Sequence, residues 1–472
     1  MALITTESFE NRVLHRNGQM GEAAKVVMAA ALNAVDPYSC VQDHIKRDEN
    51  AIEFNGERVE LAEIDRIFLV GVGKASVPMT MAVLDGLDDL IAKAFAVTKD
   101  AKFLEMNGFL DKLEVFQGGH PVPSEASVQA TREVLNRIPS LTERDLVIAA
   151  ISGGGSALFT DPVEGITLAD LQAMTTLLLK SGADIQEINT IRKHLDMVKG
   201  GRLAARWAPA RIQTLILSDV IGDDLDMIAS GPTVADPTTF EDAWAIVEKY
   251  HLQQLMPKPV RDVLKSGLVG KLPETVKPSD FDSMPVSNHL VGTNTLAALA
   301  AKKQAEKLGF NAKVLTTILT GLTGEVAIGL GELILVETVI RKDEAWPKCL
   351  ILGGETTVNV TGTGKGGRNQ DLVVRMVKFL AEKEGMLFIS LATDGDDGPT
   401  DAAGAVADGQ VYQEGAEKLG LNIEEYIANN DAYEYLKQTG CLLMTGATGT
   451  NVNDLIFIFI DKGDWVYAAD EI

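Results

Sequence analysis

Residues 147–157, VIAAISGGGSA, run as an unbroken apolar segment into Ser152, Gly153, Gly154, Gly155 and Ser156. An apolar run of this length that stops at glycines reads as a strand buried on both faces, the pattern of a parallel sheet covered by helices. Three consecutive glycines cost chain entropy, so a plain turn accounts for them poorly. A nest of backbone N–H groups for phosphate or carboxylate accounts for them better. Working outward, Ile67–Val72, Ala94–Thr98, Leu113–Gln117 and Thr214–Leu217 also read as strands, with helical spacing over residues 20–35, 75–90, 124–138, 168–182 and 186–208. Strands alternating with helices define an α/β fold with crossover connections.

Residues 268–288, LVGKLPETVKPSDFDSMPVSN, lose the apolar period and carry three prolines, which predicts a domain connection. The expected organisation is therefore a domain over 1–267, a linker over 268–288 and a second α/β domain over 289–472. The second series has strands predicted at 290–292, 313–317, 349–352, 357–361, 387–392 and 455–460, and helices near 294–308, 323–341 and 369–384.

The chain has 472 residues, 46% apolar and 23% charged, which excludes a disordered or fibrous protein. Its net charge of −24 argues against nucleic acid and membrane surfaces as partners, while converging cations can still hold a small anion. Cys40, Cys349 and Cys441 form no ligand spacing, the N-terminal residues lack the regions of a signal peptide, and no apolar run approaches bilayer length. A cytoplasmic location is the expectation.

Ligands in parallel sheets bind beyond the carboxyl ends of strands, so the loops there carry the candidate chemistry. In FLVGVGKAS (68–76), Gly71, Gly73 and Lys74 stand at a helix start, matching neither a Walker A motif nor a full G-x-G-x-x-G. The register of Gly153 to Leu158 fails the G-x-S-x-G nucleophile pattern, which removes a serine hydrolase. In INTIRKHLDMVKGGRLA (188–204), Arg192, Asp196 and Lys199 or Gly200 share one helix face and Lys193 another, although most such charges are solvated surface. His194 and His120 lack a partner at metal-ligand spacing and read as hydrogen-bonded structural histidines. In LILSDVIGDDLDMIASGPT (215–233), Asp219 at a strand end suits Mg²⁺ or a general base, while Asp224 and Asp226 suit turn chemistry. GGETTVNVTGTGKGGRNQD (353–371) carries Glu355 on a predicted hairpin, then Gly364, Gly366, Gly367, Arg368 and Asn369 at a helix start, a candidate anion site. Asp394 leads the acidic strand end of FISLATDGDDGPTDAAG (388–404), and TGATGTNVND (445–454) forms one more loop before a strand. Two α/β domains with Gly-rich loops, Lys74, Arg368 and strand-end aspartates suit phosphoryl transfer, which needs positioned positive charge above covalent chemistry.

The motifs GVGKAS, GGHPVPSEAS, ISGGGSAL, INTIRKHLDMVKGGRLA, LSDVIGDDLDMIASGPT, GGETTVNVTGTGKGGRNQ, ATDGDDGPTDAAGA and TGTNVNDL occur in order across residues 68–455. In this the chain resembles the class II glycerate kinases, glycerate 2-kinases with a C-terminal MOFRL domain, some of which carry a hydroxypyruvate reductase label. The resemblance implies ATP-dependent phosphorylation of D-glycerate to 2-phosphoglycerate with Mg²⁺. It also implies a cleft between a Rossmann-like N-terminal domain and a smaller C-terminal α/β domain. The family's catalytic lysine and arginine fall on Lys74 and Arg368, and Lys193 matches another cation of that cleft. Gly73, Ser152–Ser156, Glu355, Gly364, Gly366, Gly367 and Asn369 are then the candidate phosphate- and substrate-binding residues, with Asp219 and Asp394 for the metal. The rivals are a nicotinamide-dependent reductase and a non-catalytic sugar-acid sensor. A homodimer is left open.

Overall fold

The computed structural model describes residues 4–108, 111–341 and 344–461. It divides into two compact units, Pro37–Val291 and a second made of Met1–Asp36 with Gly292–Ile472.

The 37–291 unit is built on six strands, β1 (Arg66–Val72), β2 (Ile91–Thr98), β3 (Leu113–Gln117), β4 (Asp145–Ser152), β5 (Arg211–Leu217) and β6 (Val286–Gly292). Their order in the sheet is β3-β2-β1-β4-β5-β6, and the pairs β1/β2, β2/β3, β1/β4 and β4/β5 are parallel. This is the strand order of the doubly wound dinucleotide-binding fold, with its reversal between β1 and β4. All eight residues of β4 are buried, as its apolar run requires. A Cβ on Gly71 would lie 2.3 Å from Thr80 Oγ1, so this glycine lets helix α1 (Ser76–Leu87) rest directly on β1. A second core forms where the helices Leu168–Lys180, α2 (Ile185–His194), Phe240–Lys249 and Lys258–Leu268 meet around Met174, Ile191, Phe240 and Val260. The helix expected over 186–208 is broken: α2 ends at His194, and Gly200 and Gly201, at φ +57° and +77°, precede a short helix Arg202–Trp207.

The second unit carries β7 (Asn311–Leu319), β8 (Lys348–Gly354), β9 (Met386–Ala392), β10 (Gly404–Asp408), β11 (Leu442–Leu443) and β12 (Asp454–Ile460) in the order β7-β8-β12-β9-β10-β11. Only β7/β8 is parallel; β12 runs antiparallel between β8 and β9. That reversal sets Asp454, the first residue of β12, opposite Gly354 and Ala392, the last residues of its neighbours.

The domain limits differ from those expected. Residues 1–36 join the C-terminal unit: helix Gly18–Asn33 packs against helix Asn294–Lys307, and Arg16 pairs with Asp408 and with Glu414 at 2.6 Å. Residues 286–292 complete the first sheet rather than opening the second, and 268–288 includes the short helix Pro278–Phe281. No strand forms at 357–361, where Thr357 makes one isolated bridge to Leu322, so Glu355 directly follows the end of β8 instead of sitting on a hairpin. Among the described residues, no helix is long and apolar enough to cross a membrane.

Candidate active site

Where the strand order reverses, the chain leaves β1 and β4 on opposite sides and opens a crevice at their carboxyl ends. The loops 73–75 and 153–156 lie there. Gly73 has φ +120°, and a Cβ on it would fall 2.3 Å from Ser152 Oγ, so glycine alone permits the loops to approach this closely. The Lys74 N–H donates to Gly153 O at 2.9 Å. Ser152 corrects one expectation. It is 1% exposed, its hydroxyl accepts from the Ala75 N–H at 3.0 Å and donates to Val72 O at 3.4 Å, and it therefore ties the two loops together instead of facing a ligand.

Gly154 has φ +81°, and a Cβ on it would stand 2.9 Å from His120 Cδ2 and 3.2 Å from Lys74 Cγ. The imidazole and the lysine stem thus both rest on this glycine. The Gly153 and Gly154 N–H groups donate to no described residue, and the half-buried Lys74 ammonium has no hydrogen bond or ion pair among the described residues. Asp219, beyond β5, lays its carboxylate against Gly153, where a Cβ would meet Oδ2 at 1.9 Å. Ser156 Oγ is 2.8 Å from Ser230 Oγ, whose hydroxyl donates to Asn189 Oδ1 at 3.1 Å. Ser230 lies in a strained turn in which Ala229, Ser230 and Gly231 take φ +51°, +62° and +61°.

Lys193 lies behind this turn. It is 1% exposed and pairs with Asp226 at 2.7 Å and with the fully buried Asp236 at 3.4 Å. The cation expected at the reaction site is therefore engaged in anchoring the 219–236 segment, since moving it would strand two carboxylates. Its neighbour Arg192, about 100° away around helix α2, lines a pocket of about 160 Å³ together with Asp196, Lys199, His120, Ser156 and Thr160. The charged face noted in the sequence is thus a pocket wall and not solvated surface.

The two histidines separate. His194 is structural as expected, bonded to Thr190 O at 2.8 Å and to Glu274 Oε2 at 3.1 Å. His120 has no hydrogen bond among the described residues and faces the pocket. Burial first, then the charges of Lys74 and Lys99, pull its pKa down to about 4. Because the unfolded value is higher, the unfolded chain binds the proton more readily between these values; the stability from neutral His120 is complete above about pH 6.5 and is lost as pH falls towards 4. In an NMR titration the His120 ring should stay neutral to about pH 5, and Lys74→Met should move its midpoint upward. A midpoint near 6.5 that ignores the lysine would contradict this geometry.

In the second unit, Arg368 opens helix α3 (Arg368–Leu380). Its Nε and Nη2 donate to Asp454 at 2.5 and 3.0 Å, and Nη1 lies 2.6 Å from Glu355 Oε1. Arg368 is thus a paired guanidinium, one-third exposed, and not an open cation. Its charge holds the Asp454 carboxyl down against burial, which pushes it up to about 6. The Gly-rich loop also departs from expectation. The N–H groups of Gly362, Thr363, Gly364 and Lys365 donate to Asn430, Asn429, Asn429 and Asp431 at 2.8, 3.1, 2.9 and 3.0 Å. The start of α3 is taken by Asp397, which accepts from the Asn369 and Gln370 N–H groups at 3.1 and 2.9 Å and from Asn369 Nδ2 at 3.2 Å. A carboxylate already complements this helix dipole, so Gly364 and Asn369 serve the fold. Gly366 packs on Ala432, and Gly367 admits Asp397, whose Cγ would be 2.2 Å from a Cβ there.

The carboxylates expected at a metal belong to different units, Asp219 to the first and Asp394 to the second. Among the described residues, no group of three or more His, Cys, Asp or Glu side chains is arranged to hold a metal ion. The anion-binding arrangement that can be read within one unit is therefore Lys74, the Gly153–Gly154 amides and the Arg192 pocket.

The chain matches the model described as "Domain of unknown function (DUF4147)" over residues 23–265 and that of the MOFRL family over 348–454. It is 40% identical to the glycerate 2-kinase of Pyrococcus horikoshii over 438 residues, covering 92% of this chain and 96% of that protein. The crystal structure of a glycerate kinase from Thermotoga maritima superimposes with a TM-score of 0.81 at 39% identity, covering 93% of this chain and 99% of that one. A putative hydroxypyruvate reductase of Agrobacterium vitis is 37% identical over 399 residues, 84% of this chain and 87% of that protein.

Proposed function

Because this chain belongs to the glycerate kinase family with a MOFRL domain, we propose that it transfers a phosphoryl group from ATP to the C2 hydroxyl of D-glycerate. The observation that carries this reading is the Lys74 ammonium, without an ion pair or hydrogen bond among the described residues, beside the Gly153 and Gly154 amides that donate to no described residue, at the strand ends where the sheet order reverses. Phosphoryl transfer spreads charge over the migrating oxygens, and preorganised N–H donors and an ammonium aimed at that charge lower the barrier. Lys74 stabilises that charge and the two amides orient the group. Ser152, Gly73 and Gly155 hold the loops in place; Gly155 admits Ala229, whose Cβ would be 2.7 Å from a Cβ there. Asp219 would hold Mg²⁺, which takes one or two carboxylates plus phosphate oxygens and would neutralise the nucleotide's charge. In the second unit Asp454 orients Arg368, and the half-exposed Glu355 is the partner that an incoming anion displaces.

Phosphorus NMR of the products from ATP, Mg²⁺ and D-glycerate should show 2-phosphoglycerate. A 3-phosphoglycerate signal would overturn the position of attack, and oxidation of NADH by hydroxypyruvate without phosphorylation would favour the reductase.

A further inference from the structure

Arg192 stands in the last turn of α2, partly buried, with no ion pair or side-chain hydrogen bond among the described residues. Burial without a counter-ion is costly for a charged group, since the penalty is several kcal/mol per ion unless a partner compensates it. The nearest acid, Asp196, acts on Arg192 through its charge alone and makes no hydrogen bond or ion pair with it among the described residues. Asp196 accepts from Thr160 Oγ1, from Lys199 Nζ at 2.8 Å and from the Val198 N–H at 2.9 Å, and Lys199 completes its own set on Phe159 O at 3.0 Å. The Asp196–Lys199 pair is closed on itself. With His120 neutral, the titratable lining sums to one positive charge, that of Arg192.

The pocket's volume, about 160 Å³, is well below the roughly 300–1,000 Å³ of sites for drug-sized ligands, so the ligand is small. One net positive charge suits a monocarboxylate better than a phosphate dianion. A guanidinium offers two parallel N–H donors matched to the two oxygens of a carboxylate. Gly154 forms part of the pocket wall and also lies against the Lys74 stem, so the pocket adjoins the proposed phosphoryl site.

We propose that the Arg192 pocket is the carboxylate anchor of the acceptor, taking a short 2-hydroxy acid in a bidentate contact that turns its C2 hydroxyl towards the Gly154–Lys74 wall. The identity of that acid as glycerate rests on the reading under Proposed function. The geometry also accounts for the position of attack, because the C2 hydroxyl adjoins the carboxylate carbon whereas the C3 hydroxyl is one bond farther out. Arg192 is then the specificity-determining residue: glyceramide and glycerol, which lack the charge, are rejected.

The test compares wild type with Arg192→Met and Arg192→Lys. It measures KM for D-glycerate and for ATP, calorimetric binding of D-glycerate to nucleotide-free protein, and thermal unfolding. Loss of a buried charge partner predicts a KM for D-glycerate about 10²-fold higher in Arg192→Met, no detectable binding heat, and KM for ATP within about twofold. Arg192→Lys keeps the charge but not the fork and falls between. Removing a partly buried charge that has no ion pair among the described residues should leave the melting temperature unchanged or raised, whereas a structural arginine would lower it. Unchanged glycerate KM and binding in Arg192→Met, or a lowered melting temperature with KM for both substrates raised alike, overturns the proposal while the kinase reading stands. Wild-type binding that Arg192→Met abolishes, without turnover by either protein, keeps the anchor and overturns the kinase reading. No binding of D-glycerate by wild type overturns both.

Discussion

Lys74→Ala is expected to lower kcat about 10³-fold, with thermal unfolding changed by no more than about 2 °C. The split follows from the surroundings of the side chain. Its ammonium has no partner among the described residues, so truncation leaves no stranded carboxylate and removes only a stem lying on Gly154. What disappears is charge that acts when a migrating phosphoryl group is present, and so the effect falls on kcat more than on KM. Lys74→Arg should recover little of the rate. The planar guanidinium is bulkier than an ammonium, and the stem runs beside the His120 ring on the same glycine. Steady-state kinetics with a melting curve for each variant make the check, and a Lys74→Ala enzyme with near-normal kcat would remove the lysine from the mechanism.

Arg368→Ala should behave in the opposite way, destabilising the protein by about 3–5 kcal/mol, because it leaves the buried Asp454 carboxylate without its bidentate partner. Burial already holds the Asp454 carboxyl up to about 6, and losing the guanidinium raises it further. A carboxyl whose folded pKa exceeds its unfolded value binds protons more tightly in the folded state. Stability from this group is therefore present at low pH and falls as pH rises from about 4 through the folded pKa. The defect should thus be largest above about pH 6 and shrink towards pH 5. Adding Asp454→Asn to Arg368→Ala should restore much of the stability, since the second change removes the unpaired charge. Denaturant unfolding at two pH values reads both effects. Lost activity with full stability and no rescue by Asp454→Asn would show instead that Arg368 acts only on the substrate.

The residues that these variants separate were unequally legible. Lys74, Gly73 and the Gly153–Gly155 run stood out because their spacing at a strand end has few bland explanations, and the crevice lies where those strands end. Lys193, matched to a cation of the cleft, and Arg192, read with a charged helix face, take different places in the structure. Adjacent helical residues point about 100° apart, and the face that packs inward is chosen by elements distant in sequence. Here Asp226 and Asp236 take the lysine and leave the arginine on the pocket. The glycines at 362–367 matched an anion loop equally well, but the 429–431 turn takes the amides of Gly362 and Gly364 and Asp397 takes the helix end, partners that lie 27 to 68 residues away.

The sequence by itself determined the alternation of buried strands and helices, and with it the α/β class. It also placed glycines and a lysine at strand ends, because periodicity and φ freedom are local properties of the chain. The tertiary structure decided the rest: that residues 1–36 join the C-terminal unit, that β6 completes the first sheet, that Ser152, Lys193 and Arg368 are engaged by partners, and that Arg192 has no ion pair or side-chain hydrogen bond among the described residues. Those outcomes depend on which charges and apolar faces meet after long stretches of intervening chain, and pairing energies of that kind leave no periodic trace in the sequence.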